Sequence, residues 1–247
     1  MQKALSFKHV TKRFPLYHHM RGGIKTFVLH LPRSLHAFSH AHSFLALHDV
    51  SFDLYQGEVL GIIGRNGAGK STTLGLAAGV IAPTSGTIEV HGRVSPMLEL
   101  GGGFHPDLTG RENILLNGVL LGLSRGQVKK KMPAIIDFSE LADFIDEPIR
   151  IYSSGMLAKL GFSVVAQLDP EILIIDEVLA VGDAPFQAKC LSVMEEFKRK
   201  GVSMLLVSHH CGDVQRLCDR VVWIHDHTVR KDGPVTSILA EYQTCIA

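Results

Sequence analysis

The stretch Gly64-Arg65-Asn66-Gly67-Ala68-Gly69-Lys70-Ser71-Thr72 decides the fold. It fits G-x-x-x-x-G-K-[ST], and its flanks are those the pattern requires. The run Glu58-Val59-Leu60-Gly61-Ile62-Ile63 reads as a strand leading in, and Thr72 to Val80 reads as a helix leading out. Glycines let successive backbone N–H groups turn inward as an anion nest, and the following helix points its positive end at the same place. In that setting Gly64, Asn66, Gly67, Ala68, Gly69 and Thr72 form a phosphate cradle. Lys70 reaches the β- and γ-phosphates, and the Ser71 hydroxyl helps hold Mg²⁺. A nucleoside triphosphate is the implied ligand.

Downstream runs fit the same plan. Glu171 to Ile175 and Ser203 to Val207 are continuous apolar segments, the mark of strands buried on both faces of a parallel sheet. Pro185 to Arg199 reads as a helix between them. Polar residues at the strand ends put ligand chemistry at the carboxyl edge of the sheet. Asp176 is placed to bind Mg²⁺ directly or through water. Glu177, the next residue, points elsewhere and is placed to orient or deprotonate an attacking water. His209 ends the second run and is a candidate γ-phosphate contact. His210, His225 and His227 have no such placement and read as surface residues. Val221 to Ile224 and Thr228 to Arg230 look like a hairpin, with Pro234 opening a terminal helix.

Toward the N-terminus, Ala4 to Val10 and Val50 to Leu54 look like strands. Between them, 15–46 is an insertion rich in His, Phe, Leu and Arg, too long for an ordinary connection. It either lies along an anionic membrane surface or forms a solvated loop. After the phosphate-loop helix, Thr87 to Val90 and Val94 to Leu100 resume as strands. Gly101 to Gly103 and Phe104-His105-Pro106 mark a hinge-like boundary into a helical insert, about 102–165. Thr109 with Glu112, and Ser124 with Gln127, fit capping boxes. Pro133 is expected to interrupt the second helix or restart it.

Bulk numbers are ordinary. The 247 residues are 46 % hydrophobic and 20 % charged, with a net charge of +1, so no global basic field favours nucleic acid. Residues 1–50 differ, with seven Lys or Arg against one acid and eight of the fourteen histidines. The four cysteines lack zinc spacing and follow no secretory signal, which favours reduced thiols. No segment reads as a membrane span, so work at a membrane requires a partner.

The phosphate loop, Tyr152-Ser153-Ser154-Gly155-Met156, Ile172 to Glu177, Val181-Gly182-Asp183 and His209 stand in the order of an ATP-binding-cassette ATPase. The chain resembles that superfamily over essentially its whole length. Leu98 to Pro106, Thr109-Gly110-Arg111-Glu112-Asn113, the Tyr-Ser-Ser-Gly-Met signature and the long insertion resemble the nucleotide-binding subunit of O-antigen, capsule or teichoic-acid exporters. The resemblance implies an α/β fold: a P-loop ATPase core with a mostly parallel sheet, an antiparallel β part and a helical subdomain. It implies ATP and Mg²⁺ as cofactors. It also implies a head-to-tail homodimer, in which Lys70, Asp176, Glu177 and His209 of one chain share each ATP with Ser153, Gly155 and Asp183 of the other. The expected partners are a polytopic membrane permease and, as cargo, a lipid-linked glycan, with no nucleic acid. The expected place is the cytoplasmic face of the inner membrane, peripherally through the permease. The runners-up are an exporter of another cargo and a soluble ATPase acting on nucleic acid or ribosomes.

Three departures from the superfamily pattern matter. Ser154 and Met156 replace the first glycine and the glutamine of the usual Leu-Ser-Gly-Gly-Gln. No glutamine stands where the strand from Val94 enters the insert; Glu99 is the nearest polar candidate for Mg²⁺ or water, with Leu100 an equal alignment. The adenine-stacking aromatic matches Phe14 first and Tyr17 in reserve. The chain ends at Ala247, so an appended carbohydrate-binding domain is not expected.

Overall fold

A computed structural model describes residues 2–15, 43–97, 102–176, 182–208 and 210–246. Tyr17, Glu99, Leu100, Glu177, Val181, His209 and the insertion residues Arg21, Lys25 and Arg33 lie outside them.

Nine strands build two sheets among the described residues. β1 (Lys3–Pro15), β2 (Ser43–Tyr55) and β4 (Ser85–Val90) form an antiparallel sheet in the order β2-β1-β4. The second sheet runs β5-β6-β7-β3-β8-β9. Its strands are β3 (Val59–Ile63), β5 (Val94–Met97), β6 (Ile172–Asp176), β7 (Ser203–Val207), β8 (Arg220–His225) and β9 (Thr228–Pro234). All neighbours are parallel except β8 and β9. The mostly parallel core with an antiparallel part is therefore present.

The continuous apolar runs are explained by burial on both faces. Ile172 and Ile174 join the core shared with β1 and β2, whereas Leu173 and Ile175 join the core under the helices. Alternation of side chains along a strand sends neighbours to opposite faces. β1 and β2 run further toward each other than the local pattern predicts. Phe14 pairs with Phe44 and Pro15 with Ser43, so residues 43–46, read as insertion, are strand.

Seven α-helices complete the described chain. α1 (Lys70–Ala77) follows the phosphate loop and packs across β6 and β7. α2 (Gly110–Leu120), α3 (Arg125–Ser139) and α4 (Ser154–Val165) pack on one another as the helical part. α5 (Ala184–Arg199), α6 (Cys211–Leu217) and α7 (Val235–Ile246) cover the core. Both capping boxes form, at Thr109/Glu112 and Ser124/Gln127.

Pro133 corrects an expectation: α3 runs through it. Proline removes one bond to the carbonyl four residues back. Pro133 and Lys129 are both exposed, so the lost bond falls on the solvent side of α3, where it costs least.

Two buried asparagines shape the entry to the helical part. Asn113 Nδ2 donates to the carbonyls of His105, Leu108 and Thr109, and its Oδ1 accepts from His105 N–H. One turn on, Asn117 donates to the Gly102 carbonyl at 3.1 Å. Residues 102–109 are therefore lashed to α2. No helix among the described residues is long and apolar enough to cross a membrane.

Candidate functional site

β3, β6 and β7 are parallel, so their carboxyl ends share one edge of the sheet. The phosphate loop leaves β3 at that edge, and Asp176 closes β6 there, half-buried. The loop's glycines serve different ends. A Cβ on Gly69, at φ +109, would sit 2.6 Å from the Ala46 carbonyl oxygen and from Leu47. A Cβ on Gly64 would meet the Ile224 carbonyl oxygen at 2.4 Å. These two glycines let the loop press against β2 and β8. Gly67, at φ +81, would direct a Cβ into open space.

Lys70 is 7 % exposed. Its ammonium donates to the Gly64 carbonyl at 2.9 Å and the Arg65 carbonyl at 3.2 Å, which holds the charge inside the loop it serves. Ser71 is exposed and Thr72 half-buried in the first turn of α1. Hydroxyl and carboxylate oxygens, from Ser71 and Asp176, are the hard donors Mg²⁺ prefers. Among the described residues no cluster of three His, Cys, Asp or Glu could hold a metal.

Two clefts flank the loop and share Phe44, Asn66 and Gly67. One, of ≈ 300 Å³, runs along Gly69, Lys70, Ser71 and Thr72. The other, of ≈ 430 Å³, is bounded by Arg65, His225, Asp226 and His227. Phe44 is 47 % exposed, unusual for a phenylalanine, and meets His227 edge-on at 5.8 Å between ring centroids. His227 is half-buried, with Nδ1 3.1 Å from the Ala46 carbonyl oxygen. His225 and His227, read as surface residues, are half-buried and line this cleft. Phe14, an expected stacking residue, stands opposite Phe44 in the β1–β2 register, with Lys12 Nζ 4.8 Å over its ring. Local sequence could not reveal Phe44, because its position depends on a register set across 16–42.

A third cleft, ≈ 450 Å³, lies between the small sheet and β8. Its charges are already engaged: Lys3 with Asp53, Lys8 with Glu89, and Arg220 with Glu58 and Asp232. It offers no comparable site.

Ser153, Gly155 and Asp183 lie at helix starts. Ser153 caps α4, its Oγ accepting from Met156 N–H at 3.2 Å. A Cβ on Gly155 would meet nothing nearer than Ser153 Oγ at 3.8 Å, so this turn faces open space. Tyr152 is buried beneath it and donates to the Phe144 carbonyl at 2.6 Å. Burial pushes the Tyr152 phenol above its ordinary range. Asp183 caps α5 through Phe186 N–H at 2.9 Å. That backbone bond, and then Lys159, hold its carboxyl below the usual range.

The model of the family described as ABC transporter matches residues 47–180. The chain is 58 % identical, over 247 residues and the full length of both proteins, to "O-antigen export system ATP-binding protein RfbB" of Klebsiella pneumoniae. It is 42 % identical over 238 residues to "Teichoic acids export ATP-binding protein TagH" of Listeria monocytogenes serotype 4b (strain F2365), covering 96 % of this chain and 69 % of that protein. A solved structure, "Dimeric structure of a post-hydrolysis state of the ATP-binding cassette MJ0796 bound to ADP and Pi", superposes with a TM-score of 0.73 at 18 % identity, covering 94 % of this chain and 98 % of that one.

Proposed function

The chain belongs to the ABC transporter family, and from that premise we propose that it is the ATP-hydrolysing subunit of an exporter for a lipid-linked polysaccharide. The observation that carries this reading is identity of 58 % along the whole chain to an O-antigen export ATP-binding protein. The motor would work from the cytoplasmic face of the membrane, held there by a separate membrane-spanning subunit.

Each candidate residue takes a defined part. The backbone from Gly64 to Gly69 and the Lys70 ammonium neutralise the phosphates. Mg²⁺, held by Ser71 and Asp176, would supply charge neutralisation between the β- and γ-phosphates. Glu177 accepts the proton of the attacking water, and His209 contacts the γ-phosphate. Two copies pair head to tail, so that Ser153, Gly155 and Asp183 of one complete the site of the other. The helix start at Ser153 directs partial positive charge at the γ-phosphate. Arg21, Lys25 and Arg33 of the insertion guide the anionic headgroup of the cargo.

Phe44 gives the base a platform. Phe44→Ala should raise the Kd for ATP by about 5–150-fold, the span of base–aromatic stacking by alanine substitution. Phe14→Ala, measured beside it, should change the Kd less. Equilibrium titration with a fluorescent ATP analogue checks both, and an unchanged Kd in Phe44→Ala removes the platform.

The export reading is tested in cells. A chain carrying Glu177→Gln should abolish surface polysaccharide while the lipid-linked form accumulates inside. Normal surface display, with the variant as the sole copy and its purified form defective in turnover, would falsify the assignment of cargo.

A further inference from the structure

Four charged side chains meet where the helical part touches the core. Lys159, in the second turn of α4, places Nζ 3.0 Å from Glu140 Oε2 and 3.0 Å from Asp183 Oδ2. Lys189 of α5 bonds the other Glu140 oxygen. Glu140 ends α3 in left-handed backbone, at φ 59, a conformation uncommon outside glycine. Lys189, and then Lys159, hold the Glu140 carboxyl below its usual range.

The lysine between the two acids occupies a shaped slot. Its side chain is 15 % exposed. A Cβ on Gly182, at φ +71, would sit 3.2 Å from Lys159 Cε and 3.3 Å from Phe186. Lys159 Nζ also lies 5.1 Å over the Phe186 ring. Glycine at 182 therefore gives the stem its path to Asp183. Both acids remain open to solvent, with 42 % and 58 % of their side chains exposed, so these pairs add little to global stability. What they supply is direction. Asp183 is tied to the helix whose first turn carries Ser153 and Gly155.

We propose that Lys159 is a positioning residue for the shared nucleotide site: it clasps Asp183 to α4, so that Ser153, Gly155 and Asp183 meet a second copy's nucleotide as one rigid surface. This rests on the head-to-tail pairing proposed above. Glu140, anchored by Lys189, keeps the Lys159 ammonium from swinging into solvent. Without the clasp, ATP-driven pairing must order Asp183 and the start of α4 separately, and that entropy weakens association.

The test uses the full chain carrying Glu177→Gln, so that ATP is not consumed. Light scattering measures ATP-dependent pairing, and a fluorescent ATP analogue measures occupancy of the dilute single chain. Lys159→Gln should leave single-chain occupancy within about twofold and Tm unchanged, yet raise the dimer Kd about 5–20-fold. Lys159→Arg should restore pairing, because a guanidinium reaches both carboxylates. Asp183→Asn, which keeps a capping side chain, should weaken pairing similarly, and the double variant should add little. Pairing by Lys159→Gln as tight as in the parent, or losses that simply add with Asp183→Asn, overturns the clasp alone. A parent chain that never pairs on ATP overturns the shared site and the clasp with it.

Discussion

ATP turnover in a Glu177→Gln chain is expected to fall by about 10²–10⁴-fold, the range a positioned acid–base group supplies. The substitution keeps the side chain's size and removes its capacity to take a proton. The cradle is untouched, so ATP should bind as before and hold two chains together. Phosphate release gives the rate, and light scattering with ATP shows the trapped pair. Near-normal phosphate release from the variant would remove Glu177 from the base's role. The location of Glu177 one residue past β6 supports the assignment, since successive residues leaving a strand point to opposite sides.

The second large effect concerns binding. Lys70→Ala should weaken ATP affinity by about 10–150-fold, the equivalent of one charged hydrogen-bonding group at 1.5–3 kcal/mol. The buried ammonium donates to the carbonyls of Gly64 and Arg65, so its loss also leaves the loop's own acceptors unsatisfied. The two variants should therefore fail differently. Glu177→Gln binds normally and turns over slowly, whereas Lys70→Ala is impaired in binding itself. A fluorescent ATP analogue titrated into Lys70→Ala decides the matter, and an unchanged Kd contradicts the cradle.

What could be read from the sequence follows from how local each signal is. The Thr109/Glu112 and Ser124/Gln127 boxes close within four residues, so their chemistry is complete in a short window. The runs at Ile172 and Ser203 are legible because two-sided burial leaves no polar alternation to misread. Pro133 misleads for the opposite reason: whether a lost hydrogen bond matters depends on solvent, which a local pattern does not record. Phe44 and His227 are brought together by β2 and the β8–β9 turn, 183 residues of chain apart in their contact's logic and adjacent only in space. The Lys159–Glu140–Asp183 cluster draws on three elements and has no motif at all.

The order of strands has a consequence for biogenesis. β3, which delivers the phosphate loop, lies between β7 and β8. Val59 N–H is even held by the carboxylate of Asp219, 160 residues downstream. A ribosome adding about 5–20 residues per second needs roughly 8–30 s to supply those neighbours. Through most of that interval the nascent chain carries the complete phosphate-loop sequence before β7 is made, and through all of it before β8 is made. A chain truncated before Arg220 should therefore carry the phosphate-loop sequence while lacking the β8 neighbour of β3.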